Sequence, residues 1–159
     1  MAILKSEFVI CVIMPKLPTF NLSQNDNWET PTNVLEYALD YFDFEPTLDV
    51  CATAFNKKCH MFIKENSLQM SWQRNFFMNC PYSKAADWIY HAYDQHLRHN
   101  VSGLALLFVK SDTKVWRDCI LDNKAEILFI TGRIKFLKNG IASKNSAPYP
   151  SAFVFWRAR

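Results

Sequence analysis

Directly after Thr30-Pro31, apolar residues return at steps of one, three and four through Val34, Leu35, Ala38, Leu39 and Phe42. That spacing gathers them on one face of a helix, and Thr-Pro is a favourable way to begin one, with threonine as N-cap and proline at the first helical position. A helix is predicted from Thr30 to about Phe42. Leu48-Asp49-Val50-Cys51-Ala52 and Phe76-Phe77-Met78 are short apolar runs with polar residues inside or just after them, the pattern of buried strands with polar C-terminal ends. Between Ser83 and His99, Ala86, Ile89, Tyr90, Tyr93 and Leu97 restore helical spacing. Beyond them the pattern predicts a strand over Leu104 to Val109, a helix over Thr113 to Leu121, a strand over Ile127 to Ile130, and closing strands at Ile134 to Leu137 and Ala152 to Trp156.

Strands alternating with helices imply an α/β fold: a compact single domain with a mainly parallel central sheet, whose ligands sit at the C-terminal strand ends. The prolines and polar residues between positions 15 and 28 read as irregular, giving a leader over residues 1–27 and a folded domain over 28–159. Met14, which closes the apolar stretch from Phe8, is a candidate translation start that would make residues 1–13 dispensable.

A length of 159 residues fits one domain, and 50% hydrophobic with 15% aromatic residues suits a packed globule. The net charge of +3 permits a nucleic-acid partner without requiring one. Five cysteines with no CxxC pair suggest neither a disulfide framework nor a zinc ribbon, and Cys51, Cys59 and His60 match no common zinc spacing. The expectation is therefore an intracellular, non-secreted protein without a metal. Phe8 to Met14 is too short to span a bilayer, so no membrane partner is expected from it.

Asn79-Cys80-Pro81-Tyr82 falls where a strand ends and a helix is about to begin, which is where an α/β sheet presents polar groups to a ligand. The Asn79 amide oxygen and the Cys80 carbonyl can each accept a hydrogen from an exocyclic amine, drawing its nitrogen toward tetrahedral geometry for attack on a methyl sulfonium. Pro81 restricts the residue before it and so steadies that carbonyl, while Tyr82 offers a ring for stacking a base flipped out of a duplex. The chain has only Gly103, Gly132 and Gly140, so a cofactor turn after Asp49 must be built from Cys51, Ala52 and Thr53. That disfavours a glycine-rich nicotinamide or flavin site.

Taken in order, Trp28-Glu29-Thr30-Pro31, Leu48-Asp49-Val50-Cys51-Ala52 with Asn56-Lys57-Lys58-Cys59, Asn79-Cys80-Pro81-Tyr82-Ser83, Ser111-Asp112-Thr113 and Gly132-Arg133-Ile134-Lys135-Phe136 resemble the phage-type DNA N-6-adenine-methyltransferase (Dam-like) family. The third piece is similar to its NPPY motif, with Cys80 in place of the first proline. The resemblance implies a Rossmann-like S-adenosylmethionine-dependent methyltransferase fold. It also implies methylation of the N6 amine of adenine in double-stranded DNA with base flipping, in the cytoplasm of a cell or of a virus-infected host.

The resemblance puts catalysis at Asn79, Cys80, Pro81 and Tyr82. Cofactor contacts fall to Thr30, Pro31, Asp49, Cys51, Ala52 and Asn79, and nucleic-acid contacts to Tyr82, Ser83, Arg133, Lys135 and Phe136. Loops over residues 64–74 and 138–148 are left to read bases, and a homodimer would suit a palindromic site. Plainer readings stand beside these. Asn79 to Tyr82 can be a simple turn, Asp49 a loop cap, Thr30 an N-cap, Asp112-Thr113 a helix cap, and Phe136 a core residue flanked by exposed charges. The alternative functions are methylation of another planar amine, in protein glutamine or RNA, and a catalytically inactive nucleic-acid-binding domain.

Overall fold

The computed structural model describes residues 28–159. In chain order its elements are helix α1 (Thr32–Phe42), strands β1 (Leu48–Asp49), β2 (Met61–Phe62) and β3 (Phe76–Met78), helix α2 (Ala85–His99), strand β4 (Gly103–Phe108), the short helix α3 (Lys114–Trp116), and strands β5 (Glu126–Phe129), β6 (Leu137–Lys138), β7 (Ile141–Ala142) and β8 (Ser151–Trp156). The main sheet has six strands in the order β2-β1-β3-β4-β8-β5. Neighbours β2, β1, β3 and β4 pair in parallel, whereas β8 is antiparallel to both β4 and β5. Two reversals cancel, so β5 points the same way as β4 and only β8 runs against the rest. The sheet is mostly parallel, as expected, and the topology is compatible with a Rossmann-like fold.

The period-two alternation of strand side chains divides the core into two faces. Phe76 and Met78 of β3, Ala105 and Leu107 of β4, and Val154 and Trp156 of β8 pack with Ile89 and Ala92 of α2 and with Trp116 and Ile120. Phe77, Leu104, Leu106, Phe108, Phe153 and Phe155 point the other way, onto Leu35, Ala38 and Phe42 of α1. Every residue of β3, β4 and β8 is buried, which explains why these strands read as continuous apolar runs. Gly103 opens β4 opposite Phe76, and a Cβ there would lie 2.1 Å from that ring.

Several expectations change. Helix α1 begins at Thr32, with Pro31 at its N-cap and no side-chain cap, so Thr30 does not cap it. Ile134 to Phe136 do not form a strand. Leu137–Lys138 pairs instead with Ile141–Ala142 in a separate two-stranded sheet, because Asn139 and Gly140 both adopt positive φ and turn the chain tightly back. Strand β2 was not foreseen, and the helix after Thr113 widens into a π-helical turn over Arg117–Leu121. The 64–74 segment is not simply a loop: Trp72 is fully buried, its indole N–H donating to the Ser67 carbonyl and its backbone N–H to Gln95 Oε1. The proposed leader, residues 1–27, and Met14 within it lie outside the described residues.

Candidate active site

From β1 the chain moves to β2 on one side, and from β3 it moves to β4 on the other. Connections leaving adjacent strands in opposite directions open a crevice at their C-terminal ends. Two adjoining clefts occupy that position, and Trp28, Cys51, Asn56 and Asn79 line both. Asn79, the residue after β3, therefore stands at their junction.

Its amide is pinned at both ends. Nδ2 donates to the Trp28 carbonyl at 2.9 Å, and Oδ1 accepts from the Tyr82 hydroxyl at 3.0 Å. Only the NH2 end can donate to a carbonyl, so the amide orientation follows from the chemistry. Oδ1 accepts one hydrogen bond here and has a second lone pair. Tyr82 is buried, and burial first, then the nearby Cys80 and Cys51 thiols, pushes its phenol well above its ordinary pKa, so it stays a neutral donor. Its ring lies on Phe108 with centroids 3.7 Å apart, which covers one face. A base could stack on Tyr82 only if the other face were uncovered. Cys80 is buried and Pro81 lines the larger cleft, whereas Ser83 is exposed on the following turn.

On the β1 side, Asp49 is buried and holds the next loop with both oxygens: Oδ1 accepts from the Cys51 N–H at 3.2 Å and Oδ2 from the Lys58 N–H at 2.9 Å. Burial raises its carboxyl above the ordinary value, and the two N–H groups and the Lys58 charge oppose that rise. The capping role is thus real. Asp49 still lines the smaller cleft, where each oxygen retains a lone pair.

The Cys51-Ala52-Thr53 turn is closed by Asn56, whose Oδ1 accepts from the Thr53 N–H at 2.7 Å and hydroxyl at 3.0 Å. Two buried hydroxyls without partners belong to residues that line the clefts, Thr30 Oγ1 at the smaller and Ser67 Oγ at the larger. An unpaired buried hydroxyl is unfavourable, and these two supply polar atoms a bound ligand can satisfy. Pro31 heads α1 beside Thr30.

A third, more apolar cleft lies on the far side of Tyr82, lined by Ser83, Ile89, Phe108, Lys110, Thr113 and Trp116. Thr113 closes its rim by donating its hydroxyl to the Lys110 carbonyl at 2.7 Å. The 132–136 piece divides by side-chain direction. Arg133 and Lys135 are exposed, with Arg133 donating to the Pro148 carbonyl at 2.6 Å. Phe136 is buried beside Tyr82, Phe108 and Trp28, the plainer of its two readings, and presents no face for stacking.

The sequence reading missed the Trp28 carbonyl as a partner of Asn79 and missed Asn66, Ser67 and Trp88 as cleft residues. Trp88 carried a signal, lying beside the apolar stripe of α2, and Asn66 and Ser67 fall in the 64–74 segment expected to read bases rather than to line this cleft. Among the described residues no three His, Cys, Asp or Glu side chains group to hold a metal ion, and no helix is long and apolar enough to cross a membrane.

Comparison with known proteins adds an independent line. Residues 19–159 match the family described as DNA N-6-adenine-methyltransferase (Dam). The chain is also 39% identical over 121 residues to the DNA N-6-adenine-methyltransferase of Haemophilus phage HP1 (strain HP1c1), covering 74% of this chain and 69% of that protein. No solved structure matches it significantly.

Proposed function

The chain belongs to the DNA N-6-adenine-methyltransferase (Dam) family and is accordingly an adenine-specific DNA methyltransferase; from that premise we propose that it methylates the N6 amine of a flipped adenine with S-adenosylmethionine as donor. One observation carries the reading: Asn79 stands at the junction of two clefts at the switch point of the sheet, its amide fixed by Trp28 and Tyr82. Family membership favours DNA adenine over a glutamine or RNA amine as substrate.

The residues at the crevice suit the cofactor. The unpartnered hydroxyls of Thr30 and Ser67 supply hydrogen-bonding atoms, Asp49 a carboxylate for an ammonium group, and Cys51 and Ala52 small side chains that permit close approach. Pro31 heads α1 next to Thr30, which lines the smaller cleft, and a helix N-terminus is favourable for a carboxylate. When bound, the cofactor supplies an electrophilic methyl group on a sulfonium.

The chain's own part is to hold the amine. Asn79 Oδ1 accepts one amine hydrogen on its remaining lone pair while the Cys80 carbonyl accepts the other, which localises the nitrogen lone pair for in-line attack. Pro81 restricts Cys80 to extended conformations and steadies that carbonyl. Tyr82 orients Asn79 through its hydroxyl. Ser83, Arg133 and Lys135 are exposed and can meet the DNA backbone.

The test is transfer of labelled methyl from S-adenosylmethionine to unmethylated DNA by the wild type and by Asn79→Ala. Loss of transfer with cofactor affinity retained supports the assignment. Undiminished turnover by the variant contradicts it.

A further inference from the structure

Two consecutive residues connect the site to a surface hairpin. The carbonyl of Trp28 accepts the hydrogen bond that pins Asn79. The next residue, Glu29, exchanges both backbone hydrogen bonds with Leu137 of β6, each at 2.9 Å. Its carboxylate then accepts from the turn, from the Asn139 N–H at 3.0 Å and the Gly140 N–H at 3.2 Å. The β6–β7 hairpin is thus gripped by one residue, at its base through the Glu29 backbone and at its turn through the Glu29 carboxylate, next to the residue that holds Asn79.

The chemistry of the hairpin differs from that of the clefts. No acidic residue follows Glu126, while Arg133, Lys135, Lys138 and Lys144 are all exposed around it. Ile141, beside the turn and paired with Lys138, is 74% exposed. A cationic hairpin with an exposed apolar residue beside its turn complements a polyanion whose stacked bases accept apolar wedges.

We infer that the β6–β7 hairpin is the element that grips DNA, with Lys138 and Lys144 on phosphates and Ile141 against the bases. We further assign Glu29 as a positioning residue that carries hairpin engagement to Asn79. This rests on the reading of DNA as substrate. It assigns a role to Glu29, which borders the smaller cleft while both its carboxylate oxygens are taken up by the hairpin turn.

The experiment measures steady-state methylation of unmethylated genomic DNA, its salt dependence, and calorimetric binding of S-adenosylmethionine for five full-length proteins: wild type, Ile141→Ala, the double variant Lys138→Ala/Lys144→Ala, Glu29→Ala and Glu29→Gln. Ile141→Ala, at an exposed site, should raise KM for DNA severalfold. The double lysine variant should flatten the logarithmic salt dependence of DNA binding by about one unit per cation.

Glu29→Ala should lower kcat/KM for DNA about tenfold and lower kcat itself, measured at saturating cofactor. Glu29→Gln, which keeps one acceptor oxygen, should recover part of the loss. A wild type that methylates DNA while all four variants match it would overturn the hairpin's role and leave the proposed function standing. A wild type that binds cofactor and never methylates DNA would overturn both.

Discussion

The Tyr82 hydroxyl makes one hydrogen bond to Asn79 and sits in a buried, neutral environment, so its contribution can be separated from that of its ring. Tyr82→Phe keeps the stack on Phe108 and removes only the donor to Oδ1. Single-turnover kinetics should show a methyl-transfer rate about five- to tenfold lower, the scale of one net hydrogen bond, with cofactor affinity intact. Asp49 gives a pH prediction. Burial raises its carboxyl above 3.8, and only the ionised form attracts an ammonium group. Cofactor affinity measured by calorimetry should therefore weaken as pH falls through that raised value, and an affinity flat across the acid range would remove Asp49 as the ammonium partner.

For folding the sign is opposite. The folded state holds the proton more tightly than the unfolded chain, so Asp49 contributes most to stability below 3.8 and that contribution is lost as pH rises through its folded value. Single residues with distinctive chemistry were legible in the sequence, and Asn79 and Asp49 do line the crevice. Phe136 was not, because a phenylalanine between cations reads alike whether its ring turns inward or outward. The Trp28 carbonyl was not legible either, since backbone atoms carry no letter.

At the scale of elements, Gly103 lies in register with Phe76 of the neighbouring strand. Its missing side chain makes room for the Phe76 ring, and Gly103→Ala would force that ring aside within a sheet buried on both faces. Chemical denaturation should show a loss of about 1–3 kcal/mol, the usual scale of overpacking, and unchanged stability would contradict the packing described. The long elements were readable because periodicity needs length. Helices α1 and α2 repeat their pattern several times, and strands β4 and β8 are six-residue, fully buried runs. Strands β2, β6 and β7 contain two residues each, too few to show any period. The hairpin was marked only by Asn139-Gly140, a turn signal with weak alternation around it. The antiparallel placement of β8 between β4 and β5 depends on contacts distant in sequence and leaves no local trace.

Across the whole molecule, the pieces that carry chemistry come from five separate stretches, and the sheet brings three of them to one crevice. Trp28 to Pro31, Asp49 to Asn56 and Asn79 to Tyr82 meet there, while Ser111 to Thr113 borders the apolar cleft behind Tyr82 and Arg133 and Lys135 lie on the surface beside the hairpin. Motif order made the first grouping legible. The link from Glu29 to the hairpin is a tertiary contact across 110 residues of chain and required the structure. The most direct test of the account is base-resolution mapping of unmethylated genomic DNA after incubation with the purified protein and S-adenosylmethionine. The account predicts N6-methyladenine at a defined set of sites with the wild type and at none with Asn79→Ala. Absence of N6-methyladenine from a wild-type reaction in which the cofactor is bound, or an identical map from the variant, would contradict it.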